Sequence, residues 1–112
     1  MNWTLLGALL GFAGVAAGAF GAHGLRSLVT PQRLEIFETA VRYQMIHALA
    51  ILLAGLLGAP QAGWCFAAGI GVFCGSLYLL VLTDQRWLGA VTPIGGLLFL
   101  AGWALLALAS RK

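Results

Sequence analysis

Residues 35 to 47 bring together seven side chains able to do chemistry: Glu35, Glu38, Thr39, Arg42, Tyr43, Gln44 and His47. Glu38 precedes Arg42 by four residues, acid first, the order that favours an ion pair along a helix. Tyr43 precedes His47 by the same interval on the adjoining flank. An imidazole close to a carboxylate and a phenol is equipment for general acid–base catalysis. His23, Glu38 and His47 could also supply three ligands to a metal ion, but their spacing does not demand one. Two histidines without a dense ligand motif lead us to expect no metal and no cofactor. Simpler roles exist as well. Glu35, Glu38 and Arg42 fit the headgroup level, paired so as to be satisfied. His47, roughly two turns deeper, fits a hydrogen bond to a neighbouring helix. The candidate polar cluster is therefore Glu38, Arg42, Tyr43, Gln44 and His47 with His23, and no catalytic residue is assigned.

These residues need a scaffold suited to an apolar solvent. Of 112 residues, 62% are hydrophobic and only 8% charged, whereas a soluble domain carries about a quarter charged residues. The formal charge of +3, from six basic and three acidic side chains, is too sparse for a nucleic-acid footprint. The partner that the composition implies is the lipid bilayer. Cys65 and Cys74 lie more than a turn apart on opposite faces of one apolar run, so they cannot bridge there and read as small packing residues. GIGVFCG at 69 to 75 has glycines but neither the preceding strand nor the lysine of a phosphate-binding loop.

Apolar runs predict four spans, at about 3–22, 40–59, 64–82 and 92–109, in an all-α integral membrane bundle forming one polytopic domain. Ala17-Gly18-Ala19 resembles a signal cleavage site. Met1-Asn2-Trp3-Thr4 lacks the basic residues of a signal peptide, however, and the segment is kept as a span. Gly24 is expected to help end the first helix at His23. Thr30-Pro31 and Thr92-Pro93 both read as helix starts, with Thr as N-cap and Pro at the first position. From Pro31 an amphipathic lead-in runs into the second span, with Leu34, Phe37, Val41, Met45 and Ala48 on one side. Glu35, Glu38, Thr39 and Arg42 share the other, where Ile36 is an exception. PQAG forms the turn into the third span, and TDQRWLGAV, with Asp84, Arg86 and Trp87 at interface level, the loop into the fourth. Tyr78 reads as an interfacial anchor. Arg26, Arg33, Arg42 and Arg86 fall on the side of the first and third loops, which positive-inside counting assigns to the cytoplasm.

Within the first span Gly7, Gly11, Gly14, Gly18 and Gly21 recur every four and three residues. Such a 3.5-residue period keeps bare backbone on one stripe of a slightly supercoiled helix. In lipid, apolar burial cannot bring helices together, and a groove of missing side chains lets backbones approach instead. Ala67-Gly71-Gly75 on the third span, and Gly95 with Gly102 on the fourth, are the matching small positions. The seams would pack helices within the chain or between copies.

GAFGAHGL (18–25), TAVRYQMIHALA (39–50), GSLYLLVLT (75–83) and TPIGGLLFLAGW (92–103) together resemble the YgdD-like family of small four-helix membrane proteins, a domain of unknown function. The resemblance covers nearly the whole chain. It implies an integral membrane protein of the bacterial inner membrane, and it supplies no substrate, activity or cofactor. Its motif residues fall on Gly21, His23, Gly24, Tyr43, Gln44, His47, Ser76, Tyr78, Thr92, Pro93, Gly95 and Gly96 without assigning them roles. Three functions remain in play: a non-enzymatic packing, assembly or interaction component, which the residues favour; an oligomeric small transporter or channel; and a lipid-binding protein or intramembrane enzyme using the polar flank of the second span.

Overall fold

The computed structural model of the protein describes residues 1–111. It is all-helical, and four helices are long and apolar enough to cross a membrane: α1 (Trp3–Leu25), α2 (Pro31–Leu56), α3 (Pro60–Thr83) and α4 (Arg86–Ala109). α2 and α3 form the centre, α1 packs along α2, and α4 packs along α3. The α2 and α4 backbones barely meet, so a cleft opens between them. The whole measures 50 × 26 × 18 Å, about two helix diameters thick.

Local chemistry sets the helix ends. The Arg33 amide donates to the Thr30 hydroxyl, with Pro31 in the first turn, as the Thr-Pro pair predicts. α2 closes at Gly58 in the left-handed region (φ +65°): the Ala59 amide reaches back to the Ala54 carbonyl and the Gly58 amide to Gly55. Three expectations need correction. α1 does not stop at His23; it runs through Gly24 to Leu25, and Gly24 keeps a negative φ. PQAG is not the turn, because Pro60 already occupies the first turn of α3, leaving Leu57 to Ala59 as the connection. Thr92 is not an N-cap: the 3-10 turn Arg86–Ala90 leads through a helical Val91 into Thr92–Ala109, so no free amide awaits capping.

Two helices carry a widened turn. Within α1 the stretch Ala17–Gly21 is π-helical, the Ala22 amide bonding to the Ala17 carbonyl. Within α3 the stretch Ile70–Cys74 does the same, from Gly75 to Ile70. Each inserted residue rotates the remainder of its helix and resets the faces read from an ideal period.

The glycines differ in what they meet. A Cβ added at Gly7 would lie 2.6 Å from Leu52, at Gly14 2.5 Å from the Met45 sulfur, at Gly18 3.0 Å from Val41 and at Gly21 3.1 Å from Phe37, all on α2. Gly11 meets nothing within 4 Å. On a straight helix it sits about 40° from Gly7 and 60° from Gly14, at the edge of the face. On α3, Gly71 and Gly75 also meet nothing: Phe66, Gly69 and Phe73, spaced i, i+3 and i+7, form the face toward α4, and Gly71 and Gly75 fall well off it. Gly69, which the period did not select, lies there instead: its Cβ would fall 2.5 Å from Phe99. On α4, Gly95 abuts the backbone of Phe73, and a Cβ at Gly102 would lie 2.6 Å from Phe66. Phenyl rings on each helix thus seat against glycines of the other.

Gly14→Leu is expected to lose about 1–3 kcal/mol of stability through overpacking against Met45, seen as a lower unfolding midpoint in mild detergent. Gly11→Leu, with open space at that position, should stay within about 0.5 kcal/mol of the parent. Equal midpoints for the two variants would refute the α1–α2 contact.

Candidate functional site

Helix α2 splits the polar cluster between two environments. Glu35, Glu38 and Arg42 lie on its outward face and are exposed. The expected Glu38–Arg42 ion pair is not formed. Among the described residues the one salt bridge joins Arg33 to Asp84, at 3.8 Å. The outward carboxylates and guanidinium sit where water and headgroups can solvate them, so the Coulomb gain from pairing is small. Gln44 and His47 turn inward and are each 4% exposed. The phase of α2 places them at the α3 and α4 contacts, while Phe37, Val41, Met45 and Ala48 meet α1.

Gln44 joins three helices. Its amide nitrogen donates to the Leu10 carbonyl on α1 at 2.8 Å, and its amide oxygen accepts from the Tyr78 hydroxyl on α3 at 2.6 Å. Tyr78 is therefore not an interfacial anchor: it points inward, its ring beside Phe37 and its hydroxyl on Gln44. Ser76 and Thr92, with hydroxyl oxygens 2.6 Å apart, join α3 to α4 in the same manner.

His47 bridges the cleft between α2 and α4. The Trp103 indole N–H donates to His47 Nε2 at 3.0 Å, and His47 Nδ1 lies 2.8 Å from the Tyr43 carbonyl. An indole N–H only donates, so Nε2 must be the unprotonated nitrogen and Nδ1 carries the hydrogen. The ring is a neutral strut with both nitrogens occupied. It stacks on Phe99, centroids 3.6 Å apart, with Phe66 and Trp103 at its edges. Acid–base work or metal ligation by His47 would require breaking one of these bonds. Nor do the three candidate ligands converge: His23 is exposed near the end of α1, Glu38 is exposed, and His47 is buried deep in α2. No group of three potential ligands occurs among the described residues.

A groove of about 430 Å³ follows this cleft, open to the bilayer, its walls supplied by Tyr43 and His47 on one side and Gly96, Leu97, Leu100 and Trp103 on the other. Phe73 and Phe99 line it from between, with Tyr43 packed on Phe73 at 4.6 Å between centroids. The candidate cluster supplied only Tyr43 and His47. Phe73, Phe99 and Trp103 were missed, although the four-residue spacing of Phe99 and Trp103 places them on one face of α4.

A family described as "Protein of unknown function (DUF423)" matches residues 17–96. The chain belongs to this family. A UPF0382 membrane protein of Staphylococcus aureus (strain bovine RF122 / ET3-1) is 46% identical over 116 residues, covering 98% of this chain and 95% of the relative. One from Staphylococcus haemolyticus (strain JCSC1435) is 45% identical with the same coverage, and one from Staphylococcus saprophyticus 43% identical over 98% of this chain and 97% of its own. No solved structure matches the chain significantly. This DUF423 protein is thus a small integral membrane protein of an uncharacterised family. The groove and the three-helix clasp at Gln44 lie within or beside the family's matched region, which ends at Gly96.

Nitrogen-15 NMR of His47 in micelles at neutral pH should show a protonated Nδ1 and an unprotonated Nε2. A doubly protonated ring would refute the strut. Gln44→Leu removes the acceptor of a half-buried phenol and should cost about 1–2 kcal/mol, measured by reversible unfolding in mixed micelles. An unchanged stability would contradict the clasp.

Proposed function

We propose that this protein is a non-enzymatic component of the bacterial inner membrane that binds the hydrocarbon chain of a membrane lipid in the groove between α2 and α4, and that it shares this role with the YgdD-like proteins it resembles. The observation that carries the reading is the section of the groove. From Pro93 to Trp103 it follows ten residues of α4, roughly 15 Å, so 430 Å³ corresponds to a mean section of about 29 Å². An extended alkyl chain whose carbons keep contacts of about 4.0–4.5 Å fills roughly 16–20 Å². A helix about 10 Å across needs on the order of 80 Å². The space matches an alkyl chain far more closely than a helix.

Its surface agrees with that occupant. The ring nitrogens of His47 and Trp103 that border it already bond to each other and to the Tyr43 carbonyl, and apart from the Tyr43 hydroxyl the lining offers the ligand aromatic faces and aliphatic edges. Gly96 contributes backbone without a side chain, and nothing lies within 4 Å of its missing Cβ. The same bonds that commit His47 to structure support binding over turnover.

A phospholipid carrying a photoactivatable group midway along its chain tests this directly. In reconstituted vesicles, adducts on Leu97 and Leu100 should exceed those on the comparably exposed Leu9 and Phe12 of α1 by at least fivefold. Gly96→Phe, whose Cβ has open space and whose ring occupies the groove, should abolish the excess. Uniform labelling of all four positions would overturn the proposal.

A further inference from the structure

A second cavity, about 470 Å³, opens at the loop end of the same flank of α2, lined by Thr30, Gln32, Arg33, Ile36, Asp84 and Arg86 together with Leu80. Ile36, Tyr43 and His47 are spaced by seven and then four residues, so one stripe of α2 runs from this cavity into the groove. The axial step from Ile36 to Tyr43 is roughly 10 Å. One compartment is polar and at the helix ends; the other is aromatic and within the span.

Arg33 brings a guanidinium to the wall of the polar compartment. Its terminal Nη2 donates to the Val81 carbonyl in the last turns of α3. Its Nε is buried and has no hydrogen-bond partner, and Asp84 Oδ1, at 3.8 Å, is too far to be one. Arg86 on the rim is exposed and makes no salt bridge among the described residues. Two guanidinium groups against one carboxylate leave the cavity with a formal charge of +1. Thr30 accepts from the Arg33 amide and keeps its own hydroxyl hydrogen to donate, and the Gln32 side chain adds a neutral donor and acceptor.

We propose that this cavity is the headgroup site for the lipid whose chain occupies the groove, and that it selects a monoanionic phospholipid with a hydroxylated headgroup. The inference rests on the hydrocarbon-binding role proposed for the groove. The phosphodiester sits against the accessible part of Arg33 and against Arg86, where its single charge balances the cavity. Headgroup hydroxyls meet Thr30 and Gln32. A zwitterionic headgroup brings an additional ammonium into a compartment that two arginines already make positive, and is disfavoured. The arrangement orients the bound lipid, with its phosphate on the side of the bilayer that carries Arg26, Arg33, Arg42 and Arg86.

The test is native mass spectrometry of the full-length protein released from vesicles of equal parts phosphatidylglycerol and phosphatidylcholine with matched chains. The parent protein should retain one lipid, phosphatidylglycerol over phosphatidylcholine by at least fivefold. Arg86→Gln, a change at an exposed side chain, should lower that preference below twofold while total lipid retained stays the same. Arg111→Gln, which removes the same charge at the other end of the bundle, should leave the preference intact. Equal retention of the two lipids by the parent protein would overturn the headgroup site and leave the groove standing, as would an unchanged preference in Arg86→Gln or an equal loss in Arg111→Gln. Absence of any retained lipid would overturn both.

Discussion

A polar group inside hydrocarbon has no solvent to return to, and an apolar side chain gains little by leaving lipid for protein. Everything else in this molecule answers to that pair of facts. Helices cohere where backbones come close enough for dispersion and where a side chain can satisfy a group on a neighbour. The α1–α2 seam uses the first device, with Gly7, Gly14, Gly18 and Gly21 receiving Leu52, Met45, Val41 and Phe37. Gln44 uses the second, reaching α1 and α3 from one amide. α3 and α4 combine the two, seating Phe66, Phe73 and Phe99 against glycines and linking Ser76 to Thr92.

The same constraint sorts the polar residues of α2 by depth and direction. Those that can reach water point outward and stay unpaired. Gln44 and His47, which cannot, turn inward and hydrogen-bond to neighbouring helices, while Arg33 at the loop end keeps a buried Nε without a partner. A cluster that looks like one reactive centre in the sequence is therefore two populations: a solvated rim of Glu35, Glu38 and Arg42, and internal struts at Gln44 and His47. What remains for a ligand is the space between α2 and α4 that the His47–Trp103 bridge spans without filling.

Much of this was legible from residue order. Span number, the Thr30-Pro31 start and the face of α2 that meets α1 follow from hydropathy, capping chemistry and a 3.6-residue period. The features that escaped depend on contacts distant in sequence or on irregular backbone. Thr92-Pro93 looks identical to Thr30-Pro31, yet a 3-10 turn ahead of it removes the need for a cap. The widened turns at Ala17–Gly21 and Ile70–Cys74 have no sequence signature strong enough to read. Gly69 rather than Gly71 faces α4 because it shares a face with Phe66 and Phe73, which the spacing of small residues alone does not single out. Tyr78 has the pattern of an interfacial anchor, and only the position of Gln44 on another helix turns it inward. The groove was the least legible element, because its walls come from α2, α3 and α4 at once.

The lateral opening of that groove changes what binding means. A ligand that already lives in the bilayer crosses no water to reach it and searches in two dimensions, so the relevant concentration is its mole fraction among neighbouring lipids. A contact too weak to matter in solution is occupied when the lipid is abundant and vacated when it is scarce. With a lipid chain bound as proposed, occupancy tracks the composition of the surrounding leaflet, and a protein of this size becomes a gauge of the membrane it sits in.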